Sequence, residues 1–256
     1  MNDALGDRMK RNYEDRYRIA LPRRTYTILR LDGRAFHQYC RGVERPFDAA
    51  FAADMDATAV SLCAEVQGAT MGYVQSDEIS LLLTDFATTE TEPWFGGNVQ
   101  KIVSVAASYA TAVFNSRCPG TFATFDARVF IIPDPTEVEN YFIWRQKDAT
   151  RNSILMAAQS IYSHKELHGV STDGMQELLF QKGINWNDYP DVFKRGRMIC
   201  RERPVVLTRV EAGSIPSGAE LIGVADEEIR AAWIAKAPPV FTQERQWLRE
   251  FIPRYA

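Results

Sequence analysis

Two short acidic motifs are the most chemically suggestive features of this sequence. Asp32 and Gly33 end the apolar run TYTILRL, and Asp77 and Glu78 lie between two further apolar runs. Two carboxylates about 4 Å apart repel by roughly 4 kcal/mol at an effective dielectric near 20, so a close pair needs a cation or a proton. Mg²⁺ prefers carboxylate oxygens together with substrate phosphates. If the two motifs meet in the fold, we expect magnesium-dependent phosphoryl or nucleotidyl transfer.

The residues beside Asp32 suit such a site. Two Mg²⁺ ions that bridge an attacking oxygen and a triphosphate are a general solution for nucleotidyl transfer. Gly33 allows the backbone to approach an ion or a phosphate closely. The amides of residues 33–37 could then surround a triphosphate, with help from the cationic side chain of Arg34.

The order of predicted elements brings the two motifs together. Strands are expected at 25–32, on both sides of the Gln75–Glu78 turn and at 122–132, with helices at 51–66 and 98–115. This order is the split βαβ, or ferredoxin-like, α+β arrangement: an antiparallel sheet with helices on one face. Right-handed crossovers make the first two strands parallel, with the third antiparallel between them. Asp32 and Asp77 are therefore predicted to reach one edge of the sheet.

The rest of the chain reads as an extension of that sheet domain. Residues 1–20 are predicted to form a polar helix, and 135–165 a helix followed by short helices to about 190. The tail, 205–256, is rich in glycine and proline and reads as irregular strands and loops. We expect residues 1–135 to form the catalytic domain, and 136–256 a helical and irregular extension that packs on it as one structural unit.

Composition places the chain among ordinary globular proteins. It has 256 residues, of which 46% are hydrophobic and 25% charged, and a formal net charge of −3. Four scattered cysteines without CxxC spacing favour reduced thiols, and neither a secretory leader nor a membrane-spanning stretch is evident. We therefore expect a cytoplasmic protein. Residues 44–93 carry ten acidic side chains and one basic side chain, a composition that suits cation binding. Residues 194–203 carry five basic side chains and one acidic side chain, a composition that suits phosphate binding.

Each motif also has a purely structural interpretation. Asp-Gly is a common turn dipeptide, so Asp32 could be a turn residue paired with Arg30 or Arg34. Asp77 and Glu78 could be an exposed hairpin tip. His164 and His168 are spaced like a zinc pair on a helix, but HKELH lacks the glutamate of HExxH. The basic cluster that begins at Trp144 could be a solvated helix face or a contact for phosphates and bases.

Five ordered segments carry a resemblance to a known family. They are RLDGRAFH (30–37), SDEIS (76–80), FDARVF (125–130), NYFIWRQKDATRNSI (140–154) and HKELHG (164–169). Together they resemble the tRNA-His guanylyltransferase family, and most closely its bacterial and archaeal branch of guanylyltransferase-like 3′-to-5′ RNA polymerases. A weaker similarity continues to about residue 200.

The resemblance implies a polymerase-like palm that extends RNA in the opposite direction. ATP first adenylylates the 5′-monophosphate of a tRNA, and the 3′-hydroxyl of an incoming nucleoside triphosphate, such as GTP, then attacks and releases AMP. It also implies a homotetramer.

The resemblance assigns site residues as well. Asp32 and Asp77 would bind both Mg²⁺ ions, with the Gly33 carbonyl on the second, and Ser76 and Glu78 would flank the site. The triphosphate would lie on the loop Arg34, Ala35, Phe36 and His37. The second nucleotide or the tRNA 5′ end would be held by Arg145, Lys147, Arg151, Asn152, His164 and Lys165.

One departure from the family pattern affects the expected substrate. Eukaryotic members have His-Ile-Asn-Asn after the WRQ segment, whereas this chain has Ala149-Thr150-Arg151-Asn152. The difference favours template-directed repair of tRNAs truncated at the 5′ end over dedicated guanosine addition to tRNA-His. A nucleotide cyclase with the same palm and a non-catalytic tRNA-binding protein are the alternatives, although the QSDEIS turn lacks the Gly-Gly of a cyclase GGDEF motif.

Overall fold

The structure is a computed structural model that describes residues 3–118, 122–202 and 232–255. The chain begins with helix α1 (Ala4–Met9), a π-helical turn (Lys10–Glu14) and a 3₁₀ turn (Asp15–Tyr17), none of which contains a buried residue. The polar helix predicted at 1–20 is therefore present as a helical segment that is exposed to solvent.

The predicted split βαβ unit follows. It consists of β1 (Tyr26–Gly33), the short α2 (Phe36–Tyr39), α3 (Ala49–Glu65), β2 (Ala69–Gln75), β3 (Glu78–Leu83), α4 (Val99–Arg117) and β4 (Phe125–Ile132). Asp48 and Asn98 cap the amino ends of α3 and α4 by accepting hydrogen bonds from the amides of Phe51 and Lys101. Each predicted strand and helix of this unit is present, with ends that differ by at most three residues from the sequence prediction.

The remaining described elements belong to the extension. They are α5 (Pro135–Gln159), α6 (His164–Leu167), α7 (Thr172–Phe180), α8 (Asp191–Lys194), β5 (Arg197–Glu202), β6 (Ala232–Lys236) and α9 (Arg245–Arg249). Short 3₁₀ turns occur at Cys40–Gly42, Trp94–Gly97 and Trp186–Asp188. Much of the tail predicted as irregular lies outside the described residues. Within the part that the structure describes, no helix has the length and apolar character needed to cross a membrane.

The six strands form one sheet in the order β4-β1-β3-β2-β5-β6, and neighbouring strands are antiparallel. The first four strands have the order predicted for the split βαβ unit, which confirms the α+β fold class. The extension lengthens this sheet, because β5 pairs with β2 and β6 pairs with β5. The sequence analysis did not predict these two strands.

Helices cover both faces of the sheet. On one face, α3 and α4 bury Met55, Leu62 and Phe114 against Leu29 and Leu81, as predicted for the crossover helices. On the other face, α5 and the C-terminal segment bury Phe142 and Phe241 against Tyr26 and Met71. Helix α5 therefore runs across the face to which the side chains of Arg30 and Asp32 point. The proposed boundary between 1–135 and 136–256 stays a prediction.

Candidate active site

The ends of β1 and β3 bring the two acidic motifs together. Asp32 and Glu78 are Cα partners in the β1–β3 ladder, and the Gly33 amide donates a hydrogen bond of 3.1 Å to the Asp77 carbonyl. Both aspartates are half-buried. The topology thus places Asp32 and Asp77 at one edge of the sheet, where the sequence predicted them.

Neither aspartate forms an ion pair with a cationic side chain of the described residues. The pKa of Asp77 is raised, first by burial and further by the negative charge of Asp32, although hydrogen bonds from its own amide and from Ser76 oppose the shift. Burial and the neighbouring charge both disfavour two ionised carboxylates, and a divalent cation would offset both effects. This arrangement fits a magnesium site.

The protein itself supplies few ligands for such a site. Among the residues that the structure describes, no cluster of three or more His, Cys, Asp or Glu side chains is arranged to hold a metal ion. Mg²⁺ is commonly bound by one or two carboxylates and completed by water and substrate phosphates. Two aspartates beside an open cleft therefore suit a metal that arrives with a nucleotide.

Gly33 is required by the packing of the loop that follows it. A Cβ atom at Gly33 would lie 2.4 Å from Cδ2 and 2.6 Å from Cγ of Phe36. The Phe36 ring is buried against Phe114 and Phe125, so it has no room to retreat. Ala35 adopts φ of 57°, which lets the chain turn sharply from β1 into α2. The loop predicted to hold a triphosphate is therefore short and fixed by its aromatic residue; the side chain of His37 lies outside the described part.

A cleft of about 520 Å³ opens beside Asp77, within the usual range for small-molecule sites. Gly33, Ala35, Phe36, Ser76 and Asp77 line it, as do residues that the sequence analysis did not select: Cys40, Val43, Glu44, Arg45, Pro46, Asp48, Phe51, Met156 and Gln159. The connection from β1 to α3 begins at the edge of the sheet that bears Asp32. The loop in this connection must therefore lie beside the site. That topological signal was available in the sequence.

Glu78 differs from the two aspartates because its carboxylate is already paired. It is 6% exposed and contacts the guanidinium groups of Arg30 and Arg145. Burial raises the pKa of Glu78, and the two arginines only partly offset that effect. Since Arg30 pairs with Glu78, the alternative in which Arg30 neutralises Asp32 is wrong.

Arg145 does not lie where a phosphate could reach it easily. The residue is 3% exposed, and its Nη2 donates to Glu78 at 2.9 Å and to Asp148 at 2.7 Å. Its predicted role as a ligand of the second nucleotide or of tRNA finds no support in this placement. Arg151 also pairs with Asp148 but remains 66% exposed.

The other residues predicted to contact tRNA are more accessible. Lys147, His164 and Lys165 are exposed, and Asn152 is half-buried. Helix α6 ends at Leu167, and His168 has an extended backbone, so His164 and His168 do not form the helical pair that a zinc site would need. The zinc interpretation is therefore not supported.

The basic segment 194–203 is largely neutralised within the protein. Lys194 and Arg195 pair with Asp191, and the buried Arg197 pairs with Asp56 at 2.6 Å. Three of its five cations are thus occupied by carboxylates, and Arg203 lies outside the described residues.

A split βαβ sheet with a glycine and two aspartates beside a nucleotide-sized cleft, the aspartates having no cationic partner in the described part of the chain, is typical of a palm-type nucleotidyltransferase. The family described as "Thg1: tRNAHis guanylyltransferase" matches residues 6–133, half of the chain. The chain belongs to this family, whose tRNA guanylyltransferases are nucleotidyltransferases.

Individual relatives extend the similarity beyond the palm. A bacterial tRNA(His) guanylyltransferase (Thg1)-like protein, solved in complex with ATP, is 40% identical with a TM-score of 0.82, over 98% of this chain and 100% of that one. A structure of the same description in complex with GTP is 38% identical with a TM-score of 0.80 and the same coverage. The probable tRNA(His) guanylyltransferase of Dictyostelium discoideum is 28% identical, over 77% of this chain and 83% of that protein.

Proposed function

We propose that this protein adds nucleotides to the 5′ end of tRNA in the 3′-to-5′ direction, directed by the opposite strand, after activation of the 5′-monophosphate by ATP. The observation that carries the proposal is the pair Asp32 and Asp77, which lack a cationic partner among the described residues and lie at the edge of a palm sheet beside a cleft. Family membership supplies the chemistry, and this site is where the chain can perform it.

Asp32, Asp77 and the Gly33 carbonyl would hold two Mg²⁺ ions. When bound, such ions neutralise phosphate charge and activate the attacking hydroxyl. The contribution of the chain is to fix the two backbone segments that carry the carboxylates relative to each other, because the Gly33 amide is bonded to the Asp77 carbonyl. Rigid placement of this kind favours a reaction that depends on the alignment of two substrates.

The nucleoside triphosphate would occupy the cleft beside Asp77. The amides of Gly33 and Arg34 already donate to the carbonyls of Asp77 and Thr124. The amides of Ala35 and Phe36, the exposed side chain of Arg34 and the hydroxyl of Ser76 are therefore the groups we propose for its phosphates. The similar bacterial proteins solved with ATP and with GTP support both nucleotides as substrates here. In activation, a 5′-phosphate oxygen of the tRNA attacks the α-phosphorus of ATP and pyrophosphate leaves.

Nucleotide addition would then replace the phosphoanhydride bond to AMP with a phosphodiester bond. The 3′-hydroxyl of the incoming nucleotide attacks the tRNA 5′-phosphorus, the bond to AMP breaks, and the new 5′ end retains a triphosphate. Lys147, Arg151, Asn152, His164 and Lys165 lie on α5 and α6 and are the residues we propose for tRNA contact. We further propose that the protein acts as a homotetramer.

The test is to offer a tRNA that lacks its first nucleotide, with a labelled 5′-monophosphate, to the protein with ATP, Mg²⁺ and each nucleoside triphosphate in turn. The proposal predicts that the added base pairs with the base on the opposite strand, and that changing that base changes the nucleotide added. Addition of guanosine alone, whatever the opposite base, would contradict template dependence.

Two alternatives predict no nucleotide addition in this experiment, and each has its own further test. A cyclase would convert GTP alone into a cyclic product. A non-catalytic tRNA-binding protein would shift tRNA in a gel regardless of Mg²⁺ and GTP, without incorporation of nucleotide.

A further inference from the structure

A buried network of ion pairs connects helix α5 to the turn that carries Asp77. Glu78 lies between Arg30 of β1 and Arg145 of α5. Nη2 of Arg145 donates to Glu78 Oε2 at 2.9 Å, and Nε lies 2.8 Å from Oε1 without the alignment of a hydrogen bond. Both carboxylate oxygens of Glu78 therefore face arginine.

The same arginine reaches the other strand of the hairpin through Asp148. Arg145 donates to Asp148 Oδ2 at 2.7 Å, and the buried amide of Gln75 lies 3.5 Å from that oxygen. Gln75 and Glu78 are the last Cα partners of the β2–β3 ladder. Helix α5 thus contacts both strands where they enter the turn Ser76–Asp77.

That turn needs support from outside the hairpin. Ser76 has a φ of 46°, a left-handed conformation that non-glycine residues seldom adopt. A non-glycine residue in this conformation holds it only when the surrounding contacts enforce it.

We infer that Arg145 and Glu78 are positioning residues, which act on the reaction through Asp77 rather than by touching a metal or a phosphate. The inference rests on the proposed function. Asp148 also pairs with Arg151, so three arginines face the two carboxylates of Glu78 and Asp148. Glu78 therefore has no free negative charge for a cation. To serve as a ligand, Glu78 would have to break its ion pairs with Arg30 and with the buried Arg145, which is strongly unfavourable.

The chain contains a matched control on the same helix. Glu139 is 2% exposed, and it accepts hydrogen bonds from Arg245 and Arg249, each at 2.6 Å. Like Glu78 it is buried and pairs with two arginines, although Arg245 and Arg249 are more exposed than Arg30 and Arg145. It lies near the start of α5 and borders neither the turn nor the cleft.

The experiment compares Glu78→Gln, Arg145→Gln, Arg145→Lys and the double variant Glu78→Gln/Arg145→Gln with the control Glu139→Gln. Four quantities are measured for each protein: kcat and KM for nucleotide addition to tRNA, the melting temperature, and amide hydrogen exchange at residues 76–78. Exchange is recorded without metal or nucleotide, so that it reports the turn itself.

The inference predicts that Arg145→Gln and Glu78→Gln each lower kcat by roughly 10²-fold, the effect expected when a reacting group is displaced by about 1 Å. KM for the nucleotide should change little, and the turn amides should exchange faster. The double variant should be no worse than either single variant, because the two residues act as a unit. Arg145→Lys should retain part of the activity, whereas Glu139→Gln should lower the melting temperature alone.

Other results would overturn the inference. If Arg145→Gln keeps normal kcat while Glu78→Gln is inactive, Glu78 acts directly on the metal or substrate. If Arg145→Gln raises only KM for tRNA, Arg145 binds phosphate as the sequence first indicated. A wild-type protein that adds no nucleotide would refute the proposed function; unchanged exchange at the turn in the Gln variants would separately refute the positioning role.

Discussion

The Gly33 amide and the Asp77 carbonyl are joined by a hydrogen bond of 3.1 Å that links the end of β1 to the turn between β2 and β3. Because this bond is between backbone atoms, the sheet sets the distance between the backbones of Asp32 and Asp77. The fold therefore brings two half-buried aspartates to one edge of the sheet before any ligand binds.

The first prediction concerns the packing at Gly33. We expect Gly33→Ala to destabilise the protein by roughly 1–3 kcal/mol, the usual cost of inserting a methyl group into a filled space. The reason is the 2.4 Å contact that its Cβ would make with the buried Phe36 ring. Nucleotide addition should fall as well, because the loop that leaves β1 must shift. Thermal unfolding and single-turnover assays measure the two effects.

Gly42→Ala is the control for that substitution. No heavy atom lies within 4 Å of the position that its Cβ would occupy, so stability and activity should be close to those of the wild type. Equal melting temperatures for Gly33→Ala and Gly42→Ala would show that the Phe36 contact does not constrain the loop.

The second prediction concerns the pH dependence of the α3 cap. Hydrogen bonds from the amides of Phe51 and Glu44 hold the pKa of Asp48 below its usual value of 3.8. A lowered native pKa means that the carboxylate stabilises the fold above the unfolded-state pKa, and that this contribution is lost as the pH falls through the native value. Asp48→Asn keeps an acceptor oxygen but does not titrate.

We therefore expect the difference in melting temperature between the wild type and Asp48→Asn to narrow as the pH is lowered from about 6 to about 3. Asp48→Ala, which removes the cap, should cost about 1 kcal/mol at neutral pH. A difference between wild type and Asp48→Asn that stays constant over this range would contradict the assigned role of the charge.

The third prediction concerns tRNA binding by Arg151 and Lys165. Each exposed cation that contacts a phosphate contributes roughly 0.7–0.9 to the slope of log affinity against log salt concentration. Arg151→Gln and Lys165→Gln should weaken tRNA binding and lower the slope by about that amount each. Binding titrations at several salt concentrations provide the slope.

Lys101→Gln provides the comparison. Lys101 is exposed on α4, which covers the opposite face of the sheet from α5, and its removal should leave the slope unchanged. Equal slopes for the Arg151 and Lys101 variants would place the tRNA elsewhere on the surface.

The convergence of Asp32 and Asp77 could be predicted from sequence because it depends on element order and crossover handedness alone. Strand patterns such as TYTILRL and the helical spacing of apolar residues at 51–66 are local signals, and the structure contains the strands and helices that they indicate. The pairing of β5 with β2 could not be predicted, because strand partnership depends on distant surfaces more than on local propensity.

The placement of Arg145 shows a different limit. Its neighbours Trp144 and Lys147 suggested a basic surface, yet Arg145 lies one helical turn from the buried Tyr141 and Phe142 and so faces the sheet. Helical periodicity could have indicated an inward arginine. Its partner Glu78, however, is fixed only by the tertiary contact between α5 and the hairpin, which no local pattern encodes.

The most direct test of the central claim is single-turnover nucleotide addition, with and without Mg²⁺, by Asp32→Asn and Asp77→Asn. Asp54→Asn serves as control. Asp54 of α3 pairs with Arg117 of α4, away from the cleft. The account predicts that both site variants lose at least about 10²-fold in rate, the loss expected when a group that stabilises transition-state charge is removed, while they fold normally and Asp54→Asn stays active. Near-normal addition by either site variant, or addition by the wild type without any divalent cation, would contradict it.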